Sequence, residues 1–159
     1  MQLTPIELVP IGVVVGGRAE PIDDDWGAVE AEIVLDERFP EDATAGLEEF
    51  SHLDVIFHFD QVDAEDVHVG ARHPRNRSDW PAVGIFAQRA KARPNRLGHT
   101  TCELVAVDGR RLRVRGLDAI DGSPVVDLKP TMAEFLPRGE VRQPAWSREL
   151  MSGYWASPE

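Results

Sequence analysis

Apolar and polar side chains alternate with a period of two through most of this chain, the pattern of strands with one buried face. Val29, Ala31, Ile33 and Leu35 alternate with Glu30, Glu32 and Val34, and Leu53, Val55, Phe57 and Phe59 alternate with Asp54, Ile56, His58 and Asp60. Val9 to Val15 is rich in β-branched residues and ends at Gly16-Gly17, which predicts another strand. Val83-Gly84-Ile85-Phe86-Ala87 predicts a short buried one. Thr100 to Val107 and Arg110 to Leu117 are strand runs joined by Asp108-Gly109, a dipeptide suited to a type I′ hairpin with positive φ at both positions. Asp121-Gly122 marks a further turn before the strand Pro124 to Leu128.

Helical signals are few. Asp42 to Phe50 predicts a short helical turn, and Pro144 to Trp155 predicts a helix with Trp146, Leu150, Met151 and Tyr154 along one side. Residues 70–81 and Arg93 to Gly98 are loops, the latter because a residue before proline is pushed out of the helical region. There is no internal repeat and no linker composition. The expectation is one mainly β domain over 1–159, a small barrel with short helical segments, its core in 6–130 and a C-terminal extension in 131–159.

Composition narrows the class. Hydrophobic residues at 42% and charged residues at 28% of 159 describe a globular protein, and no apolar run approaches the ~20 residues of a membrane span. The first residues lack the layout of a signal peptide, so a cytoplasmic location with no membrane association is expected. Cys102, a single cysteine, excludes an internal disulfide and is expected as a small buried hydrophobe.

The net charge of −11 is segregated. Residues 1–66 carry 18 acidic side chains against two basic ones, and residues 67–115 carry 11 basic against three acidic. Two readings stand: the patches pair within the chain or across a dimer, or the basic stretch lines a groove for an anionic ligand.

Several chemistries are absent. No G-x-G-x-x-G follows a strand, there is no Walker lysine, and no G-x-S-x-G surrounds Ser51. His52, Asp54, His58 and Asp60 share a strand face, but strand residues two apart sit too far apart to chelate readily, so no metal is expected. Arg89, Lys91, Arg93 and Arg96 crowd a loop fixed by Pro94 and Gly98, where bases bind anions at little ordering cost.

Three blocks resemble the TrmO family of S-adenosylmethionine-dependent tRNA methyltransferases, also called TsaA-like. They are Gly46-Leu47-Glu48-Glu49-Phe50-Ser51-His52-Leu53 with the strand through Gln61, then Gly84-Ile85-Phe86-Ala87-Gln88-Arg89 with Arg93-Pro94-Asn95. The third is Gly116-Leu117-Asp118 with Asp121-Gly122-Ser123-Pro124-Val125-Val126-Asp127-Leu128-Lys129-Pro130. The resemblance implies a small dimeric β-barrel that methylates N6 of threonylcarbamoyl-adenosine beside the anticodon of tRNA. It implies S-adenosylmethionine contacts at Asp60, Gln61, Arg89, His99, Asp121, Gly122, Ser123 and Pro124, and at Asp23, Asp24 and Asp25 in a further loop. Arg72, Arg75, Arg77, Lys91, Arg93 and Arg96 are the candidates for tRNA phosphates.

Departures from the family pattern are Asp60 in place of histidine, Arg96 in place of the second proline of Arg-Pro-Asn-Pro, and the triple aspartate. The expectation is a short form without the family's C-terminal domain. The other readings are a noncatalytic S-adenosylmethionine-binding or sensing module, and a methyltransferase acting on a small molecule or protein.

Overall fold

In the computed structural model, which describes residues 1–156, six antiparallel strands close into a barrel. These are β1 (Gly12–Val15), β2 (Glu30–Leu35), β3 (His52–His58), β6 (Leu97–Asp108), β7 (Arg111–Arg115) and β8 (Pro124–Pro130). They run β1-β2-β7-β6-β3-β8 around the barrel, and β8 returns to β1 through Gly12↔Val125 and Val13↔Pro124. Closure removes the open edges that a six-stranded sheet would otherwise present. The long β6 spans two partners, pairing with β3 through Leu97–Glu103 and with β7 from Glu103 to Asp108, across a register shift between Leu104 and Ala106.

The period-two pattern sorts side chains as predicted. Val14, Ile33, Leu53, Val55, Leu112, Val114 and Val125 point inward with no exposure, and Phe57 and Cys102 join them. Each such aliphatic or aromatic side chain contributes roughly 1.5–3 kcal/mol on burial. Barrels this narrow are filled by their own side chains, so any ligand site lies at an end rather than inside.

Three local predictions are corrected. The first strand begins at Gly12 rather than Val9, because Pro10 has no N–H for a ladder and Val9 stays exposed. In the hairpin, Asp108 pairs with Arg111, so the connecting residues are Gly109 and Arg110, and Gly109 alone takes positive φ, 54°. The turn therefore has glycine at its first central position, not the two left-handed positions of type I′. In the 83–87 stretch, strand β5 covers only Val83–Gly84, pairing with β4 (Ala71–Arg72), and Ile85–Ala87 turns as a 3₁₀ helix. Ile85 is buried, but Phe86 is thrown outward because the turn breaks the alternation.

Between β3 and β6 the chain leaves the barrel for residues 59–96 and returns, braced at its base where the Phe59 N–H donates to the Arg96 carbonyl at 2.8 Å. This excursion carries much of the positive charge. It is clamped to the acidic 20–27 loop by Arg75, whose guanidinium forks onto both Asp24 carboxylate oxygens at 2.9 and 3.3 Å. Helix α1 (Ala145–Met151) and the residues after it complete the assembly. The Asp25 and Trp26 N–H groups donate to the Gly153 and Tyr154 carbonyls, and Trp80 Nε1 donates to Glu149 at 2.8 Å. Gly27 lets the tail approach this closely, since a Cβ there would lie 2.2 Å from the Trp155 carbonyl oxygen.

Part of the charge segregation thus resolves within the chain. Besides the Arg75 clamp, Arg111 pairs with Glu32, and Arg115 pairs with Glu30 and Glu103 across the barrel wall. These wall pairs are exposed and contribute little each.

Two outcomes follow. Arg75→Met removes a bidentate charge-assisted contact, and amide exchange in residues 20–27 should quicken by about tenfold while barrel amides stay protected, measurable by hydrogen–deuterium exchange. Burial, with the Asp118 and Asp54 charges adding, pushes the Cys102 thiol from 9.0 up to about 12. A thiol kept neutral by folding adds stability that is complete below pH 9 and lost as pH rises towards 12. Native protein should resist iodoacetamide at pH 8 and react fully once denatured, as read by mass spectrometry.

Candidate functional site

A cleft of roughly 1970 Å³ opens at the barrel end where β3 finishes and β6 begins. Its walls come from four separated stretches: the 21–26 loop, the 59–101 excursion with the start of β6, the 118–123 turn, and the C-terminal segment. Phe57, Phe59, Trp26, Leu97, Ala119 and Ile120 give apolar surface. The helix side predicted from sequence, Trp146, Leu150, Met151 and Tyr154, faces the same space.

Of the residues expected to hold a cofactor, Asp23, Asp60, Gln61, Arg89, His99 and Ser123 line this cleft. Arg89 is anchored, one terminal nitrogen donating to the His99 carbonyl, while His99 Nε2 lies 3.6 Å from the Asp54 carboxylate. The remaining candidates are occupied elsewhere. Asp24 is spent on the Arg75 clamp, and Asp25, at φ 65°, offers its backbone to Arg18 and Gly153. Asp121 accepts from the Gly16 N–H at 2.8 Å and Gly122 donates to the Val14 carbonyl, so this turn and the following Pro124 fasten β1 to β8. Of that turn, the buried Ser123 reaches the cleft.

The basic candidates divide the same way. Arg72, Arg75, Lys91 and Arg93 line the cleft. Arg77 does not: it pairs with Asp79 and stacks its guanidinium over Trp80 at 4.0 Å. Arg96 turns away to donate to the Val62 carbonyl. Among the described residues no carboxylate lies within ion-pair distance of Arg72, Arg89, Lys91, Arg93 or Arg96. Arg72 Nε is shielded from solvent and has no hydrogen-bond partner among the described residues. A buried guanidinium nitrogen in that state is costly unless an anion or another acceptor satisfies it.

The structure adds a cluster not singled out from the sequence. Asp118 sits in the cleft with one carboxylate oxygen accepting from Thr100 and the other from the Tyr154 hydroxyl. Burial and the Asp118 charge push the Tyr154 phenol above its ordinary value, so it stays a protonated donor. Asp118 lies in the quoted Gly116-Leu117-Asp118 block and Tyr154 on the predicted helix side, but nothing in either pattern pairs residues 36 positions apart.

The cleft therefore presents cations without carboxylate partners among the described residues, a fixed carboxylate at Asp118, and apolar and aromatic walls. That combination suits a zwitterionic ligand with a flat ring system. No group of three or more His, Cys, Asp or Glu side chains among the described residues is arranged to hold a metal ion.

A family model described as the tRNA-methyltransferase O N-terminal domain matches residues 20–135. A probable S-adenosyl-L-methionine-binding protein of Pyrococcus abyssi is 36% identical over 137 residues, 84% of this chain and 72% of that one. One of Methanothermobacter thermautotrophicus is 40% identical over 131 residues, 79% of this chain and 89% of its own. The mouse tRNA (adenine(37)-N6)-methyltransferase is 36% identical over 96 residues, 60% of this chain but 22% of that enzyme. The crystal structure of TrmO from Pseudomonas aeruginosa superposes with a TM-score of 0.72 at 26% identity, covering 89% of this chain and 62% of that one. The family match spans most of the chain and the barrel is the same, so the chain belongs to the TrmO family through its N-terminal domain.

Proposed function

We propose that the cleft binds S-adenosylmethionine and that the protein transfers its methyl group to N6 of the adenosine beside the anticodon of tRNA. The observation that carries this is the convergence of Asp60, Gln61, Arg89, His99 and Ser123, from distant parts of a TrmO-family chain, on one cleft. The residues present fit the cofactor. The unpartnered Arg72 Nε and Arg89 supply donors for its carboxylate, Asp118 and Asp23 supply negative charge for its cationic groups, and the apolar wall accepts its adenine. S-adenosylmethionine, when bound, supplies an electrophilic methyl group on a sulfonium.

What the chain itself contributes is alignment and exclusion of water, from which much of the rate of an in-line displacement comes. The Arg75 clamp and the Trp80–Glu149 contact hold the walls in place before ligand arrives. Lys91 and Arg93, on the rim of the excursion, position phosphates without reading bases. Distant acidic charge does not cancel them, because screening cuts interactions beyond about 8 Å at physiological salt. In this reading the protein works where tRNA is modified, in the cytoplasm.

We also infer a homodimer. The chain exposes 10550 Å². A monomer of 17.7 kDa ordinarily exposes roughly 8000 Å², so the surplus is about 2500 Å². Residues 1–10 and 132–143 are exposed throughout and carry Leu3, Ile6, Leu8 and Val9, then Met132, Phe135, Leu136 and Val141. Two apolar strips of this kind are covered most economically by a second copy with two-fold symmetry.

Calorimetry should show one S-adenosylmethionine per chain, and Arg89→Ala should weaken it by about 1–3 kcal/mol. Absence of binding at millimolar ligand would overturn the reading. Labelled methyl should enter tRNA at the adenosine beside the anticodon; cofactor affinity without turnover would favour the binding module instead. The double reversal Lys91→Glu with Arg93→Glu should abolish salt-sensitive tRNA binding and leave cofactor affinity unchanged. Sedimentation at micromolar protein should give twice 17.7 kDa, and a 17.7 kDa species alone would refute the dimer.

A further inference from the structure

Phe86 is exposed over 79% of its surface, yet it stands on a turn whose flanking residues are buried and hydrogen-bonded. Ile85 before it is 1% exposed and donates its N–H to the Gly70 carbonyl at 3.0 Å. Gln88 after it is buried, and its amide donates to the carbonyls of Arg72 at 3.1 Å and Val83 at 2.8 Å. The β4–β5 pairing closes the support from below. The ring is therefore held out at the cleft by a scaffold that loses little freedom when something docks on it.

An isolated exposed apolar side chain is ordinary. The surroundings of this one are not. It lines the cleft together with Lys91 and Arg93, which the cofactor reading leaves unassigned and neither of which has a carboxylate partner among the described residues. Phe135 offers the contrast: it is as exposed, but it lies in a strip with Met132 and Leu136, which suits an apolar protein surface. An outward-facing aromatic ring beside cations that lack carboxylate partners suits a polyanion with flat rings, since nucleobases stack on such faces while guanidinium and ammonium groups take the phosphates. Double-stranded RNA keeps its bases stacked internally, so the ligand class is a single-stranded loop.

We propose that Phe86 is a stacking platform for a nucleobase of single-stranded RNA, holding the anticodon loop beside the cleft. The proposal rests on the reading of the protein as a tRNA methyltransferase. Phe86 is a positioning residue in this role and takes no part in the transfer itself. Its π face gives no preference among bases, so it fixes where the loop lies rather than which sequence is bound.

The test compares wild type with Phe86→Ala, Phe86→Leu and Phe86→Trp, using an anticodon stem-loop RNA, S-adenosylhomocysteine and sedimentation. RNA affinity should fall roughly tenfold to a hundredfold in the alanine and leucine variants and be retained in the tryptophan variant. Cofactor affinity and oligomeric state should not move in any of them. Leucine keeping full RNA affinity would overturn stacking, and so would alanine doing the same. A matching loss of cofactor affinity would overturn the proposal by assigning the ring to the cofactor, and loss of the dimer would overturn it by assigning the ring to the subunit interface. Failure of wild type to bind RNA would fell the tRNA reading and this proposal together, whereas wild-type binding that survives Phe86→Ala fells only the proposal.

Discussion

Everything in this molecule hangs on closure of a narrow sheet through a short seam. β1 contributes four residues and meets β8 over two register pairs, Gly12↔Val125 and Val13↔Pro124. The seam is reinforced by the 121–123 turn, where the Asp121 carboxylate takes the Gly16 N–H and the Gly122 N–H reaches the Val14 carbonyl. Once closed, the barrel has no room inside for a ligand and no edge on which to bind one. Function is forced to the end, where the chain between β3 and β6 leaves and re-enters. The residues of that turn thus serve the site mainly by holding the wall that carries Ser123.

The end is not a cleft until distant segments are fastened over it. The acidic 20–27 loop, the basic excursion and the C-terminal helix each bring one wall, and each is tied to another by directional contacts: Arg75 on Asp24, Trp80 on Glu149, and backbone pairing of 25–26 with 153–154. Tyr154 then reaches across to Asp118. The acidic and basic thirds of the chain divide their charges between two tasks. Some pairs neutralise one another and fix geometry, while Arg72, Arg89, Lys91 and Arg93 line the cleft with no carboxylate partner among the described residues. An overall charge of −11 is compatible with a basic rim because the two signs are separated in space as well as in sequence.

Five strands (β2, β3, β6, β7 and β8), the faces they bury, the apolar side of the C-terminal helix and the family were legible in the sequence. These are local or short-period properties: alternation within β2, β3, β6 and β7 decides which side chains turn inward before any partner is known. The count of strands also sufficed for the barrel, since a chain of this size with six or seven strands hides its edges best by closing one curved sheet. Where local chemistry was ambiguous the reading slipped. Asp108-Gly109 allowed a turn with both residues left-handed, but the cross-strand partner of Asp108 set the link one residue later. The apolar run at 83–87 looked like a strand, yet β4 is only two residues long and leaves nothing for Phe86 to pair with.

Tertiary structure alone decided which charged residues are free. Asp23, Asp24 and Asp25 are indistinguishable in sequence, but the first lines the cleft 3.9 Å from Arg75 Nε, the second takes the fork of the Arg75 guanidinium, and the third is turned by a positive φ to offer its backbone. Arg72 gives no sign along the chain that the fold buries one of its nitrogens without a partner, whereas Arg77 takes its carboxylate and indole from Asp79 and Trp80, two and three residues on. The Asp118–Tyr154–Thr100 cluster joins residues whose separation carries no periodic signal. The physical reason is range: burial patterns are written over a few residues, whereas the pairing of a charge depends on which of many equivalent partners the closed barrel brings within 4 Å of it.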